Sequence, residues 1–539
     1  MAVMTTVLEL AANHPETIGE RLSEQARSIP DKVLLVTGER SVTFRQMEDM
    51  ANEIACGFSA LGVVKGDAVC QLMPNCEAVI SNWMGLAKIG AINAPLNYQF
   101  FGAALARIVN ATEAKVLVLD QTLELSIADI SDDLVFLETI ILRAEETFVP
   151  DARLARFNLI NLAELKGAAQ GAQPVDIHYS DPALLLFTSG TTGPSKAVEI
   201  SHRYALTFAA EYIEHWRLTA EDVFYVPYPL YHVDANFAAY LSSLHRGGKA
   251  VILSRFSASR FWDEVREHGV THTIFMGAVA TFLFNRPPSA EDADNPLRLV
   301  LTTPMPAFWR EFEQRFRVQM VSGFGATELN MVCWANLGAP HIDDTCGRPC
   351  EHFEMRIGDE HDEAVPVGTS GEILVRPKRA FTMMTGYYRN PEATAETRRN
   401  LWHHTGDLGF LDEGGYLHFV GRKKDAIRRR GENISAFEVE EVLNRHPQVV
   451  ESAVIGVPSE YTEEDVKAIL ALQSPGICTP KSIVDWAKGK LPRYALPRYV
   501  EFVDALPHTD TDKIQKTVLR EHWKTPDTFD IEKNGYLLE

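Results

Sequence analysis

Residues 184–198, LLLFTSGTTGPSKAV, set four hydroxyls (Thr188, Ser189, Thr191, Thr192), two glycines (Gly190, Gly193) and one cation (Lys196) directly after an apolar run. The run reads as a buried strand, because it is continuous, short and ended by turn residues. Gly190 and Gly193 carry no side-chain bulk, so backbone N–H groups there can approach a ligand closely. Hydroxyl donors, exposed N–H groups and a lysine together suit a polyphosphate. The spacing is G-x-x-G-x-x-K, so this is not the P-loop motif, which needs G-x-x-x-x-G-K-[ST]. A flexible Ser/Gly linker is the bland alternative, but linkers rarely follow an apolar run and end in Pro and Lys.

Three further stretches carry chemistry. In GFGATE, residues 323–328, Phe324 can stack on a purine, Thr327 offers a hydroxyl and Glu328 a hard oxygen ligand for Mg²⁺. Read alone, Glu328 is equally a solvated loop acid. HHTGD, residues 403–407, sets Asp407 after what reads as a Gly turn, with Arg422 fifteen residues on. Such a pair can share a ribose diol, the Asp accepting from both hydroxyls and the Arg donating. It can equally be a surface salt bridge. LPHTDTDKIQK, residues 506–516, holds Lys513 in a turn-rich segment, where a lone lysine is normally solvated.

Positioning these groups needs a large frame. At 539 residues the chain suggests about three units of roughly 150 residues each. Hydrophobic content of 46% excludes wholesale disorder. A net charge of −21 argues against a general nucleic-acid binder, so an anionic ligand must meet local cations against an acidic background. The seven cysteines are scattered, and Cys346-x-x-x-Cys350 lacks a second pair nearby, so their spacing predicts reduced thiols in a cytoplasmic protein and no zinc site. The opening residues lack a basic n-region and carry Glu9, which does not predict a signal peptide. Residues 80–94, the most apolar stretch, are broken by Asn82 and Lys88, so no membrane span is predicted.

Thr43 with Gln46 forms a capping box opening a helix whose apolar residues are Met47, Ala51, Ile54, Ala55, Phe58 and Leu61, with Gly62 as its stop. GDAVCQLM then reads as a strand, CEAVISNWMGLAKIG as a helix, and VLVLD as a strand. Further strands at FYVPYPLYH, KAVILS, HTIFMGA and LRLVLTT, with FWDEVREHG as a helix, continue a strand–helix alternation that predicts parallel α/β sheets. From about Pro349, FEMRIGD, GEILVRP and GYLHFVGR predict an antiparallel β module. After Gly421, GRKKDAIRRRGENIS is basic and polar. It is followed by an amphipathic helix with Phe437, Val439, Val442 and Leu443, then by strands around one more helix. The predicted organisation is a large α/β N-terminal domain, 1–421, with a β module at about 349–421; a hinge at 422–424; and a small mobile α+β C-terminal domain, 425–539.

The stretches FTSGTTGPSKAV, GFGATE, HHTGDLG and GRKKDAIRRRGENISAFEVE, in this order, resemble the adenylate-forming superfamily of acyl-CoA synthetases, adenylation domains and luciferases. The likeness covers nearly the whole chain. RPPSAEDADNPLR and RRRGENISAFEVE look most like acyl-CoA synthetases of the crotonobetaine/carnitine-CoA ligase type. The resemblance implies a two-step reaction. A carboxylate is first joined to the α-phosphate of ATP with release of pyrophosphate, and the thiol of CoA then displaces AMP. ATP, Mg²⁺ and CoA are the implied cofactors and co-substrates.

The resemblance also implies site residues. Thr188, Ser189, Gly190, Thr191, Thr192, Gly193 and Lys196 match the phosphate loop. Glu328 matches the Mg²⁺ ligand, and Thr327 contacts the α-phosphate. Gly323, Phe324, Gly325 and Phe419 fall in the nucleotide site. Asp407 and Arg422 match the ribose clamp, and Lys513 the lysine bridging acid and α-phosphate. Lys424 matches the hinge, with Arg430, Gly431 and Glu432 on the CoA face. The basic run 422–430 then neutralises adenylate and CoA phosphates. His232 matches a ring near the acyl site, with Asn236, Gly277 and Gly323 also lining it; a structural histidine is the alternative. Residues 275–279 are expected to line the acyl pocket, with Gly277, Ala278 and Ala280 leaving room for a wide acid.

Two departures stand out. Asp512 replaces the usual Gly before the lysine, and Thr302, Thr303 and Pro304 replace a small-residue run near adenine. They motivate a specialist in one half-reaction as a competing reading. Loading of a carrier-protein thiol is another, and a non-enzymatic nucleotide sensor a third. The partners expected are a small carboxylic acid and CoA, with no nucleic acid and possible homodimer formation.

Overall fold

The computed structural model describes residues 17–38, 40–166, 175–188, 195–226, 228–253, 256–276, 279–303, 305–306, 308–335, 342–429, 432–459, 464–509 and 513–536. Within these, the side chains of Lys166, Met276, Lys424, Ala426, Arg428, Glu432 and Asn433 also lie outside the description.

Two large sheets dominate. One runs, edge to edge, Gly386–Tyr387, Ala197–Ser201, Pro182–Phe187, Ile92–Pro95, Ala68–Leu72, Val116–Asp120, Thr139–Arg143, Asn158–Asn161. Its strands are parallel from Pro182–Phe187 to Asn158–Asn161. They become antiparallel at the other edge, where Ala197–Ser201 returns beside Pro182–Phe187. The second sheet holds Gln319–Val321, Leu299–Thr303, His272–Met276, Val223–Tyr225, Lys249–Val251, Val33–Thr37 and Arg40–Thr43, and only its last pair is antiparallel. Central strands such as Ala68–Leu72 and Val116–Asp120 are buried at every residue, as sheets covered on both faces require.

The helices form where the sequence marks them. Phe44–Ala60 opens on the Thr43 capping box with Gln46 and buries Met47, Ala51, Ile54, Ala55 and Phe58. Glu77–Ile89 ends on Gly90 in the left-handed region, where a side chain would be strained. KAVILS is shorter than expected, Lys249–Val251, because the chain leaves the sheet after Val251.

The β module is antiparallel as predicted: Phe353–Gly358, Gly371–Pro377 and Trp402–Leu411 pair in series, and Leu417–Arg422 joins the last. HHTGD is not a turn, however. It lies inside the ten-residue strand Trp402–Leu411, and Gly406, at φ +71°, gives an irregularity within the ladder. The cross-strand pairing on both sides is strong enough to carry the strand through it.

The C-terminal unit is a separate, smaller α+β body. The hairpin Ala426–Arg429/Glu432–Ser435 precedes the helix Ala436–Asn444, which packs on the strand Val449–Pro458 of a four-stranded sheet. Its core, including Val439, Leu443, Val454, Val466 and Ile483, is distinct from those of the large sheets. A buried charge cluster stiffens it: Arg498 bonds Asp465 at 2.7 Å and Asp530 at 3.2 Å, and Arg429 faces Asp465 at 3.0 Å. No helix among the described residues is long and apolar enough to cross a membrane.

Candidate active site

The strand Pro182–Phe187 delivers Thr188, whose N–H donates to the Lys196 carbonyl at 3.1 Å, closing the loop at its base. Ser189, Gly190, Thr191, Thr192 and Gly193 lie outside the described residues. Lys196 places its Nζ 4.8 Å from the centroid of the Tyr387 ring, and the Tyr387 hydroxyl donates to Glu328 Oε1 at 3.0 Å. One tyrosine therefore bridges the lysine of the hydroxyl-rich loop and the candidate metal ligand. Burial, then the Glu328 charge, pushes the Tyr387 phenol well above its ordinary pKa, so it stays a donor.

Glu328 sits in the turn between Gly323–Ala326 and Asn330–Trp334. That turn is pinned from below by the helix His202–His215. The Tyr204 hydroxyl donates to the Thr327 carbonyl at 3.0 Å and accepts from the Asn330 N–H at 2.9 Å. Gly323 and Gly325 are needed where they stand, because a Cβ would meet Met331 at 2.7 Å and the Asn330 carbonyl at 2.5 Å respectively. The Phe324 ring lies 6.2 Å from the Phe419 ring, so both aromatic candidates line one place.

Asp407 and Arg422 are register partners on adjacent strands, with Arg422 Nε 3.2 Å from Asp407 Oδ1. Asp407 is buried and the arginine half exposed, so the pair is no ordinary surface bridge. Beneath it lies Glu372, which accepts from Lys423 Nζ at 2.9 Å and from the Gly406 N–H at 3.2 Å. Burial works to raise the Glu372 pKa, but Lys423 and His404 outweigh it and hold the carboxyl below its usual range.

Lys513 comes from the C-terminal unit and is exposed, with much protein close by. Its N–H donates to Thr509 Oγ1 at 3.1 Å, and its carbonyl accepts from the Thr509 N–H at 2.7 Å. Crowding by protein, then Arg422, lowers its pKa; Asp234, Asp407 and Glu328 pull the other way. Those partners are the acids and the arginine of the large unit's own candidate site. The four motifs, distant in sequence, thus share one electrostatic centre.

A family model described as AMP-binding enzyme matches residues 22–388, and one described as AMP-binding enzyme C-terminal domain matches residues 438–513. The chain belongs to the AMP-binding enzyme family. Crotonobetaine/carnitine–CoA ligase of Citrobacter koseri is 31% identical over 89% of this chain and 93% of its own, and that of Salmonella typhimurium 30% over the same shares. Among solved structures, the anthranilate CoA ligase AuaEII in complex with anthranoyl-AMP is similar, with a TM-score of 0.85 and 26% identity. It covers 95% of this chain and 98% of that one. ATP-bound MatB from Rhodopseudomonas palustris is similar at a TM-score of 0.84 and 26% identity, covering 94% and 99%. This AMP-binding enzyme is an acyl-CoA ligase of the AMP-forming type. It uses ATP and Mg²⁺ to convert a carboxylic acid to an acyl-adenylate with release of pyrophosphate, and CoA to displace AMP.

On the acyl side, His232 Nδ1 lies 3.1 Å from Asp234 Oδ2, and the His232 carbonyl accepts from the Asn236 N–H at 3.2 Å. The helix that follows, Asp234–Leu241, is a π-helix, a form common at functional sites. Asn75 fixes the approach to it, donating to the Tyr228 carbonyl at 3.0 Å and accepting from the Leu230 N–H at 2.8 Å. Gly277 and Ala278 lie outside the described residues. Phe275, Val279 and Ala280 are buried, Phe275 against Phe261 and Phe312.

Arg430, Gly431 and Asp512 lie outside the described residues, as do the side chains of Lys424 and Glu432; Thr302 is buried at the end of Leu299–Thr303, and Pro304 is not described. Sequence reading missed Tyr387, Tyr204, Glu372 and Asp234. Tyr387 stood in TGYYRNP, a turn-like run with two adjacent aromatics, which is a weak signal. The other three carry no local pattern.

Proposed function

We propose that the residues gathered around Lys513 carry the adenylation half-reaction. Lys513 bridges the acid's carboxylate and the α-phosphate; Asp407 and Arg422 hold the ribose; Phe324 and Phe419 flank the adenine; and Thr188 to Lys196 hold the β- and γ-phosphates. The observation that carries this reading is the placement of Lys513, from the small unit, in the field of Arg422, Asp407, Glu328 and Asp234 of the large one.

Glu328 suits Mg²⁺. Its carboxylate gives one acceptor direction to Tyr387, and an ionised carboxylate accepts at about four sites. Mg²⁺ bound there would neutralise charge on the phosphate oxygens. This chain's own residues do the rest. Tyr387 fixes the carboxylate, Lys196 and Lys513 supply fixed positive charge where negative charge builds, and the Tyr204-pinned turn keeps Thr327 in place. His232, with its orientation set by Asp234, and Asn236 border the acyl group.

In the same reading, residues 1–421 form the large domain and 425–539 the small one. The small domain turns about 422–424, with Lys424 as hinge, withdrawing Lys513 and presenting Arg430, Gly431 and Glu432 to CoA. Free CoA is the acceptor, because the relatives are named as CoA ligases. The enzyme works in the cytoplasm, where ATP and CoA are supplied, and as a homodimer; light scattering tests the latter.

The purified protein is incubated with ATP, Mg²⁺ and acids ranging from carnitine-like to aromatic and bulky alicyclic, with and without CoA, and products are read by mass. Acyl-AMP that converts to acyl-CoA is the expected result. Acyl-AMP that persists in the presence of CoA would instead favour a carrier-protein acceptor. Acyl-CoA from supplied acyl-AMP, with no adenylate from any acid, would favour the single-step reading.

A further inference from the structure

The helix His202–His215 meets the active site near its start, where Tyr204 pins the turn holding Thr327. Near its end it carries Glu211 and His215, one helical turn apart and therefore on one face. Cys350 and His352, from the segment entering the β module, face that pair. Glu211 Oε2 lies 3.0 Å from His215 Nε2, and Glu211 Oε1 lies 2.9 Å from His352 Nδ1. One donor atom from each of Glu211, His215 and Cys350 lies within 4.8 Å of the other two. Glu211 is 0% exposed and Cys350 5% exposed. The His215 ring is held in place by stacking on Trp334, with centroids 5.2 Å apart and planes 18° apart.

A carboxylate, an imidazole and a thiol form a borderline-soft donor set that suits zinc and not Mg²⁺. A buried carboxylate is costly unless its charge is met. Here it meets a histidine on each oxygen and a thiol alongside. Tetrahedral zinc with bonds of about 2.0–2.3 Å separates its ligand atoms by about 3.3–3.7 Å, so the farthest pair need close by only about 1 Å. His352 lies within ion-pair distance of the second carboxylate oxygen, the place of an outer partner that orients a metal-bound carboxylate.

We propose that Glu211, His215 and Cys350 bind one zinc ion, with water in the fourth position and His352 orienting the carboxylate. The ion ties the helix that pins the Thr327 turn to the entry of the β module. The site is separate from Glu328 and does not depend on the roles proposed for the active site. The cysteine spacing pointed away from zinc because the partners of Cys350 are not cysteines but two residues of a helix far back in the chain.

The test uses full-length protein purified without a metal-affinity tag. Stoichiometric zinc by elemental analysis is expected, and exchange with Co²⁺ is expected to give a thiolate-to-cobalt charge-transfer band. Cobalt at the all-oxygen Mg²⁺ site gives no such band, so the two sites are told apart. Cys350→Ser should abolish the band, and His352→Ala should weaken cobalt binding by about 10- to 100-fold. Folded wild-type protein that holds no zinc and shows no band with cobalt overturns the proposal, whatever the variants do. So does a band that survives unchanged in Cys350→Ser.

Discussion

Glu328 and Lys513 face the same centre but are held there by different means. Glu328 belongs to a frame of short, specific bonds. Tyr387 donates to its carboxylate, Tyr204 bonds both sides of its turn, and Gly323 and Gly325 let the hairpin close. Lys513 has two bonds to Thr509 through its own backbone and stands in the field of the large unit's charges. A group fixed by buried hydrogen bonds can be preorganised, at the cost of staying in place. A group delivered on a separately cored unit can be taken away again, as a two-step reaction with two nucleophiles demands.

The largest effect should come from removing the delivered group. Lys513→Ala is expected to cut ATP–pyrophosphate exchange by about 10²–10³-fold, comparable to losing one preorganised charge donor. Conversion of supplied acyl-adenylate to acyl-CoA should change far less; equal loss in both steps would erase the contrast between the two regions. The sign of the pH effect follows from the lowered pKa of Lys513. The lysine is cationic below that pKa, so adenylation falls as pH rises through it, sooner than for an ordinary lysine near ~10.4. Lys513→Arg should move that limb to higher pH.

Glu328→Gln is expected to lower exchange by about 10²-fold, with partial recovery at high Mg²⁺. No recovery would place the metal elsewhere. Asp407→Ala should mainly raise KM for ATP, by about tenfold or more, since hydrogen bonds to a charged group contribute about 1.5–3 kcal/mol. A fall in kcat alone would remove it from the ribose. Tyr387→Phe keeps the ring under Lys196 but removes the hydroxyl on Glu328. We expect a loss of about three- to tenfold, from one hydrogen bond of about 0.5–1.5 kcal/mol, with the melting temperature little changed. The smallest effect belongs to the surface contact between the units, where Arg445 Nη2 lies 3.9 Å from Asp344 Oδ1. Asp344→Ala should alter exchange by less than about twofold; a larger loss would mean that this exposed pair helps to hold the small unit in place.

Much of the frame was legible locally. The Thr43–Gln46 box, the glycine stop at Gly62 and the apolar strands each reflect short-range chemistry, and the structure has them where the sequence puts them. Misreadings arose where non-local pairing decides. HHTGD looked like a turn because Gly406 is a turn former, but neighbouring strands on both sides carry it through as a strand.

The sequence by itself determined the kinds of group on hand: a hydroxyl-rich loop with Lys196, acids at Glu328 and Asp407, and a lone lysine at residue 513 in a turn-rich tail. Residue type and spacing set such chemistry directly, because a donor, an acceptor or a charge is a property of the side chain. Only the tertiary structure decided that these groups share one field, that Tyr387 links Lys196 to Glu328, and that Cys350 faces a glutamate and a histidine rather than another cysteine. These are contacts between segments far apart in the chain, fixed by how sheets and helices pack and not by any local pattern.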